Sequence, residues 1–134
     1  MWHRFVMIAS LGLVTCLLDG TIGEINAVPE GEQTILRALD ECAAVGAACG
    51  FPLPQSLTAF LRQAVTTKDS NLTSSMYRDL KKGAPVEVDA ILGDLLEHGR
   101  SHRLDTPLLR AACVRLRVYQ NSRQKSAGAR TTAA

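Results

Sequence analysis

Ser75 and Glu87 are the side chains best spaced to do chemistry together. They stand twelve residues apart, on either side of a charged turn containing Lys81, Lys82, Gly83 and Pro85. Brought to one mouth, a hydroxyl and a carboxylate could hold a polar substrate. The hydroxyl donates to a carboxylate or carbonyl oxygen, and the carboxylate accepts from a substrate hydroxyl or moves a proton. Each also has a purely structural reading. Ser75 suits a helix N-cap or first turn, and Glu87 suits a first turn, where a carboxylate offsets the helix dipole.

Other constellations are weaker. His98 and His102 lie four residues apart, as metal ligands on a helix can, but Gly99 stands between them and no third ligand is evident. They read as surface histidines, and no metal site is expected. No G-x-G-x-x-G, P-loop or G-x-S-x-G motif is present, so no nucleotide-binding loop is visible within the chain. Cys16, Cys42, Cys49 and Cys113 form no C-x-x-C pair. Three of them sit in apolar helical contexts, where a thiol behaves as a small hydrophobe. This pattern suits a reduced, cytoplasmic protein.

The elements that must position these residues are helical. At 134 residues the chain is long enough for one domain with a real core. Aromatic residues make up only 4% against 46% hydrophobic, so the core must be Leu, Val, Ala and Ile, which suits packed helices. No run of β-branched and aromatic residues argues for a sheet. About six helices are expected. Residues 2–18 are an apolar run, and 19–31 a Gly- and Pro-containing connector. Residues 32–49 form a helix whose AAVGAAC stretch permits close packing, and Gly50, Pro52 and Pro54 end it. A short helix over 56–65 and another over about 74–81 follow. Pro85 to Glu87 opens the next, with Val88, Ile91, Leu92, Leu95 and Leu96 as its inner stripe. Thr106-Pro107 starts the last, which is expected to end near Asn121. The domain thus spans residues 1–122, and 123–134 is expected to be a disordered basic tail.

Net charge is +2, unevenly spread: from Thr106 onward there are six basic residues and no acidic one, leaving nine basic against thirteen acidic before it. No aromatics interleave with the C-terminal charges, so a solvated helix face is the reading, and no nucleic-acid partner is expected. The N-terminal run is too short to span a membrane. It resembles a secretory signal but lacks a small-x-small cleavage site, and it reads rather as a buried core helix. A small secreted helical protein is therefore an alternative.

Taken together, Ser75-Met76, Asp79, Gly83, Glu87-Val88-Asp89, Gly93 and Thr106-Pro107 resemble the signature region of the ketopantoate reductase (2-dehydropantoate 2-reductase) family. The twelve-residue step from Ser75 to Glu87 matches that family's. Weaker similarity extends over residues 2 to about 120, including Trp2 and Gly23-Glu24, and makes residues 2–18 the first core helix. The resemblance implies an all-α C-terminal domain and an NADPH-dependent hydride transfer to a 2-oxo acid such as ketopantoate. It assigns Ser75 and Glu87 to substrate binding, Glu87 also to catalysis, and Arg4 to the position of the family's catalytic Lys.

The chain departs from that pattern at three places. A guanidinium at Arg4 stabilises charge but is a poor acid, with a pKa above roughly 12. Ile8 and Gly12 stand where family members commonly carry Asn. The family's N-terminal Rossmann domain has no counterpart in these 134 residues. Alone, the chain is therefore expected to bind no NADPH and to reduce nothing. A separate Rossmann-domain chain or a second copy in a homodimer are the partners this implies. The competing class is a non-catalytic helical interaction module.

Overall fold

The computed structural model describes the backbone of residues 1–133 and the side chains of residues 1–126. Among these residues there are seven α-helices and no strand. They are α1 (Trp2–Leu18), α2 (Ile22–Asn26), α3 (Gly31–Ala48), α4 (Gln55–Thr66), α5 (Ser75–Lys82), α6 (Asp94–Ser101) and α7 (Pro107–Ala133). A wide π-helical turn, Asp89–Gly93, leads directly into α6.

The first helix is the centre of the fold. It touches α2, α3, α5, α7 and the Asp89–Gly93 turn. Its apolar run supplies Val6, Ala9, Leu13, Val14 and Cys16 to the core, none more than 1% exposed. Burying each side chain of Val or Leu size stabilises by about 1.5–3 kcal/mol. The small-residue stretch of α3 packs against it as its composition predicts. A Cβ added at Gly46 would stand 3.1 Å from Val6 Cγ2, so little larger than glycine fits at that crossing. Among the described residues no helix is long and apolar enough to cross a membrane.

Three element boundaries differ from the sequence expectation. The connector 19–31 contains α2, a five-residue helix held by a capping box. Thr21 Oγ1 accepts from the Glu24 amide at 3.1 Å, and Glu24 Oε1 accepts from the Thr21 amide at 2.8 Å. The helix expected to open at Pro85 begins only at Val88, because residues 84–87 are tied sideways to α7. The last helix, expected to end near Asn121, runs on to Ala133. That stretch lacks Pro and is rich in Ala, Arg, Gln and Lys, which favour helix. Side chains beyond residue 126 lie outside the described residues.

The start of α7 is secured from α3. Glu41, only 7% exposed, accepts from the Leu108 amide at 3.1 Å and the Leu109 amide at 3.0 Å. The first amides of a helix have no partner within it, so a buried carboxylate satisfies them from outside.

Candidate functional site

Ser74, not Ser75, caps α5. Its Oγ accepts from the Tyr77 amide at 3.0 Å. It also lies 2.7 Å from Thr15 Oγ1, which in turn donates to the Leu11 carbonyl at 2.6 Å. With the Thr15 proton so committed, Ser74 must be the donor in the hydroxyl pair. Both hydroxyls are buried and fully engaged, and together they pin the start of α5 to α1. Cys16 lies beside them, and burial pushes its thiol up to about 11, with Arg115, Ser74 and Thr15 opposing the shift.

Ser75 is thereby left as the first residue of α5, with an exposed side chain. In this first turn the Ser75 and Met76 amides have no intrahelical acceptor. The adjacent Met76 is 3% exposed and turns the other way, onto α1. Its terminal methyl fills the place a Cβ would take at Gly12, so the two positions are fitted to each other.

Glu87 occupies the exposed turn before Val88. Its neighbours Val86 and Val88 are buried and anchor it on both sides. The turn is held by α7 through three contacts. Tyr119 donates its hydroxyl proton to the Ala84 carbonyl at 2.7 Å, Arg123 Nε donates to the Gly83 carbonyl at 2.7 Å, and Gln120 Oε1 accepts from the Val86 amide at 3.2 Å. Just beyond, Arg117 pairs with Asp89 at 3.1 Å. Glu87 therefore lines a cleft of about 250 Å³ with Arg117, Gln120, Asn121 and Gln124. These α7 residues carried no motif in the sequence. The one available signal was a run of side chains able to hydrogen-bond at the end of the last expected helix, with Gln124 just past that end.

Arg4 is exposed in the first turn of α1 and takes no part in the ion pairs among the described residues. It lies two helical turns from Gly12, about 12 Å along the axis. Ile8 lies between them on the same line and is 39% exposed. Arg4, Ser75 and Glu87 thus come from three places: α1, the start of α5, which packs on α1, and the turn before Val88. No hydrogen bond among the described residues joins one of the three to another.

The histidines take other roles. His98 pairs with Asp94 at 3.7 Å and meets the Trp2 ring edge-on, with centroids 5.3 Å apart. His102 Nδ1 lies 3.0 Å from the His98 carbonyl. Among the described residues no cluster of three or more His, Cys, Asp or Glu could hold a metal ion. All four cysteines are free thiols. The described residues also hold no strand leading through a Gly-rich turn into a helix, so they offer a dinucleotide no cradle of that kind.

A domain with seven helices among its described residues, a serine at the start of one helix and a glutamate on the following turn defines a class, and comparison with known proteins gives it a family. The sequence pattern described as "Ketopantoate reductase PanE/ApbA C terminal" matches residues 1–120, and the chain belongs to this family. A 2-dehydropantoate 2-reductase of Halobacterium salinarum is 30% identical over 119 residues, covering 89% of this chain and 39% of that protein. An uncharacterized oxidoreductase, YkpB, of Bacillus subtilis is 27% identical over a stretch with the same coverage of both proteins. Among solved structures, dimeric ketopantoate reductase from Staphylococcus aureus superimposes with a TM-score of 0.78 at 25% identity, covering 91% of this chain and 43% of that one. The chain thus spans about two fifths of the length of the relatives it matches.

Proposed function

We propose that this chain is the substrate-holding helical part of a 2-dehydropantoate 2-reductase-like oxidoreductase that reduces a 2-oxo acid with NADPH. The observation that carries the reading is the family match over residues 1–120, which includes Arg4, Ser75 and Glu87. NADPH is to be held by a dinucleotide-binding domain outside these residues, either joined to the chain or on a separate one. By itself the chain reduces nothing. Its place of action is the cytoplasm, and pairing of two copies is in keeping with the dimeric Staphylococcus aureus relative.

Each residue has a role that its position supports. Ser75, exposed at the start of α5, donates its hydroxyl to the substrate carboxylate, aided by the free first-turn amides. Glu87 accepts from a hydroxyl of the substrate or product and helps set the charge around the reacting carbonyl. Arg4, at the position of the family's Lys, faces the oxygen that becomes negative during reduction. A cation there lowers the barrier by stabilising that charge, although a guanidinium gives up its proton poorly. The same poor acidity favours the second reading, a helical interaction module that keeps the packing and has lost the chemistry.

The test is to join the chain to the dinucleotide-binding part of the Staphylococcus aureus relative and follow NADPH consumption with a panel of 2-oxo acids. The proposal expects consumption with at least one of them. A fusion that folds and binds NADPH yet consumes none with any acid supports the interaction module.

A further inference from the structure

We propose that Tyr119 and Gln120 of α7 are positioning residues for the reduction, fixing where Glu87 stands relative to Ser75 through the backbone that links the two. The inference rests on the roles proposed above for Ser75 and Glu87.

The link has little structure of its own. Helix α5, which Ser75 opens, is eight residues long and closes at Gly83, whose φ of 73° is in the left-handed region. Residues 84–87 then follow no helix before Val88. The Ala84 amide donates back to the Asp79 carbonyl and the Val88 amide to the Val86 carbonyl, each at 2.9 Å. Three further backbone groups, the carbonyls of Gly83 and Ala84 and the amide of Val86, find their partners on α7. Those partners, Arg123, Tyr119 and Gln120, fall within about one helical turn.

The ties from Tyr119 and Gln120 are partly buried, whereas the Arg123 bond is exposed. A sheltered tie matters more, because breaking it leaves a backbone group unpaired away from water. Gln120 acts on the amide immediately before Glu87, and it lines the same cleft as Glu87. No hydrogen bond or ion pair among the described residues holds the Glu87 carboxylate itself. Its place is therefore set by the backbone beneath it, which Val86 and Val88 anchor in the core and α7 holds by hydrogen bonds. The same two α7 side chains thus tie the end of the element that carries Ser75 to the turn that carries Glu87. A group at a reacting centre works only near its productive geometry, and a displacement of about 1 Å can cost about 100-fold in rate.

The experiment measures kcat and KM in the chain joined to a dinucleotide-binding domain, for Gln120→Leu, Glu87→Gln and the two combined. The inference expects Gln120→Leu to lower kcat/KM about tenfold with Glu87 in place and less than about twofold in the Glu87→Gln background, because the loss runs through that carboxylate. Tyr119→Phe, which removes only the hydroxyl, is the second variant and should show the same pattern. In the chain itself, hydrogen exchange at the Val86 amide should quicken in Gln120→Leu. Unchanged protection of Val86, or equal losses with and without Glu87, overturns the positioning role and leaves the proposed function standing. If Glu87→Gln alone costs no activity, or the joined enzyme reduces no 2-oxo acid, the role proposed for Glu87 fails and this inference fails with it.

Discussion

The hydroxyls of Thr15 and Ser74 lie 2.7 Å apart, fifty-nine residues distant in sequence, and join the last turn of α1 to the residue just before α5. This contact decides which of the two adjacent serines faces solvent. Ser74 is spent on structure, and Ser75 is left exposed. Ser74→Ala removes both a cap and a buried hydrogen bond, so it should cost about 2 kcal/mol in urea unfolding. Thr15→Val leaves the Ser74 proton without an acceptor and should cost about 1–3 kcal/mol. The double variant should lose less than the sum, since each single change removes the same contact. Full additivity would show that the pair is not coupled.

Glu41 tests the junction between α3 and α7. Glu41→Ala strips the acceptor from one buried and one partly buried amide and should destabilise by about 3 kcal/mol. Glu41→Gln keeps one acceptor oxygen and should cost less. Hydrogen exchange at Leu108 and Leu109 reports the junction directly. Exchange there should quicken in Glu41→Ala, and unchanged protection would mean that the carboxylate does not hold the helix start.

Gly12 and Met76 form a single packing unit. Gly12→Ala gains helix propensity but drives a methyl into the Met76 terminus, for a net loss of about 1 kcal/mol. Met76→Ala alone opens a cavity at about 2–4 kcal/mol. In the double variant the alanine methyl occupies space that methionine vacated, so thermal unfolding should show a smaller loss than the sum of the two.

Buried thiols make stability fall at high pH. Burial pushes Cys16 up to about 11 and Cys42 up to about 12 from an ordinary value of 9.0. Above pH 9.0 the unfolded chain gives up these protons while the folded chain keeps them. The stabilisation is therefore complete below that pH and is lost as pH rises through the folded values, by about 1.4 kcal/mol per pH unit for each thiol. Cys42→Ala should flatten the decline relative to the unmodified chain. An unchanged slope would mean that other groups cause it. A thiol reagent at neutral pH should label Cys49, the one cysteine only half-buried, well before the other three.

Most of the helical frame was legible in the sequence, because the apolar stripe of each long helix repeats at three and four residues. The core role of α1 followed from the same residues that imitate a secretory signal, since Val6, Leu13 and Val14 serve either purpose. The capping box at Thr21 and Glu24 was written in the sequence but hidden among glycines that suggested a loop. The wide turn at Asp89–Gly93 and the delayed helix start at Val88 were not legible. They depend on Tyr119, Gln120 and Arg123 reaching back from α7, a contact across more than thirty residues. Ser75 and Glu87 were singled out by type and spacing. That Ser74 and not Ser75 would be the cap depended on the position of Thr15, which no local pattern encodes.

Arg4 carries the sharpest chemical expectation. In the chain joined to a dinucleotide-binding domain, Arg4→Lys should raise kcat by about 100-fold, because an ammonium donates a proton where a guanidinium does not. KM for the 2-oxo acid should move little, since both residues are cations. An unchanged kcat would mean that position 4 does not supply the proton.

The most direct test of the account is kcat/KM of that joined enzyme for its best 2-oxo acid, measured with Glu87 and with Glu87→Gln. Glu87 is exposed and bonds nothing that the fold requires, so the variant should fold and bind NADPH as before. The account predicts a fall of about 100-fold or more. A variant as active as the parent would contradict the claim that Ser75, Glu87 and α1 form the wall against which the substrate is reduced.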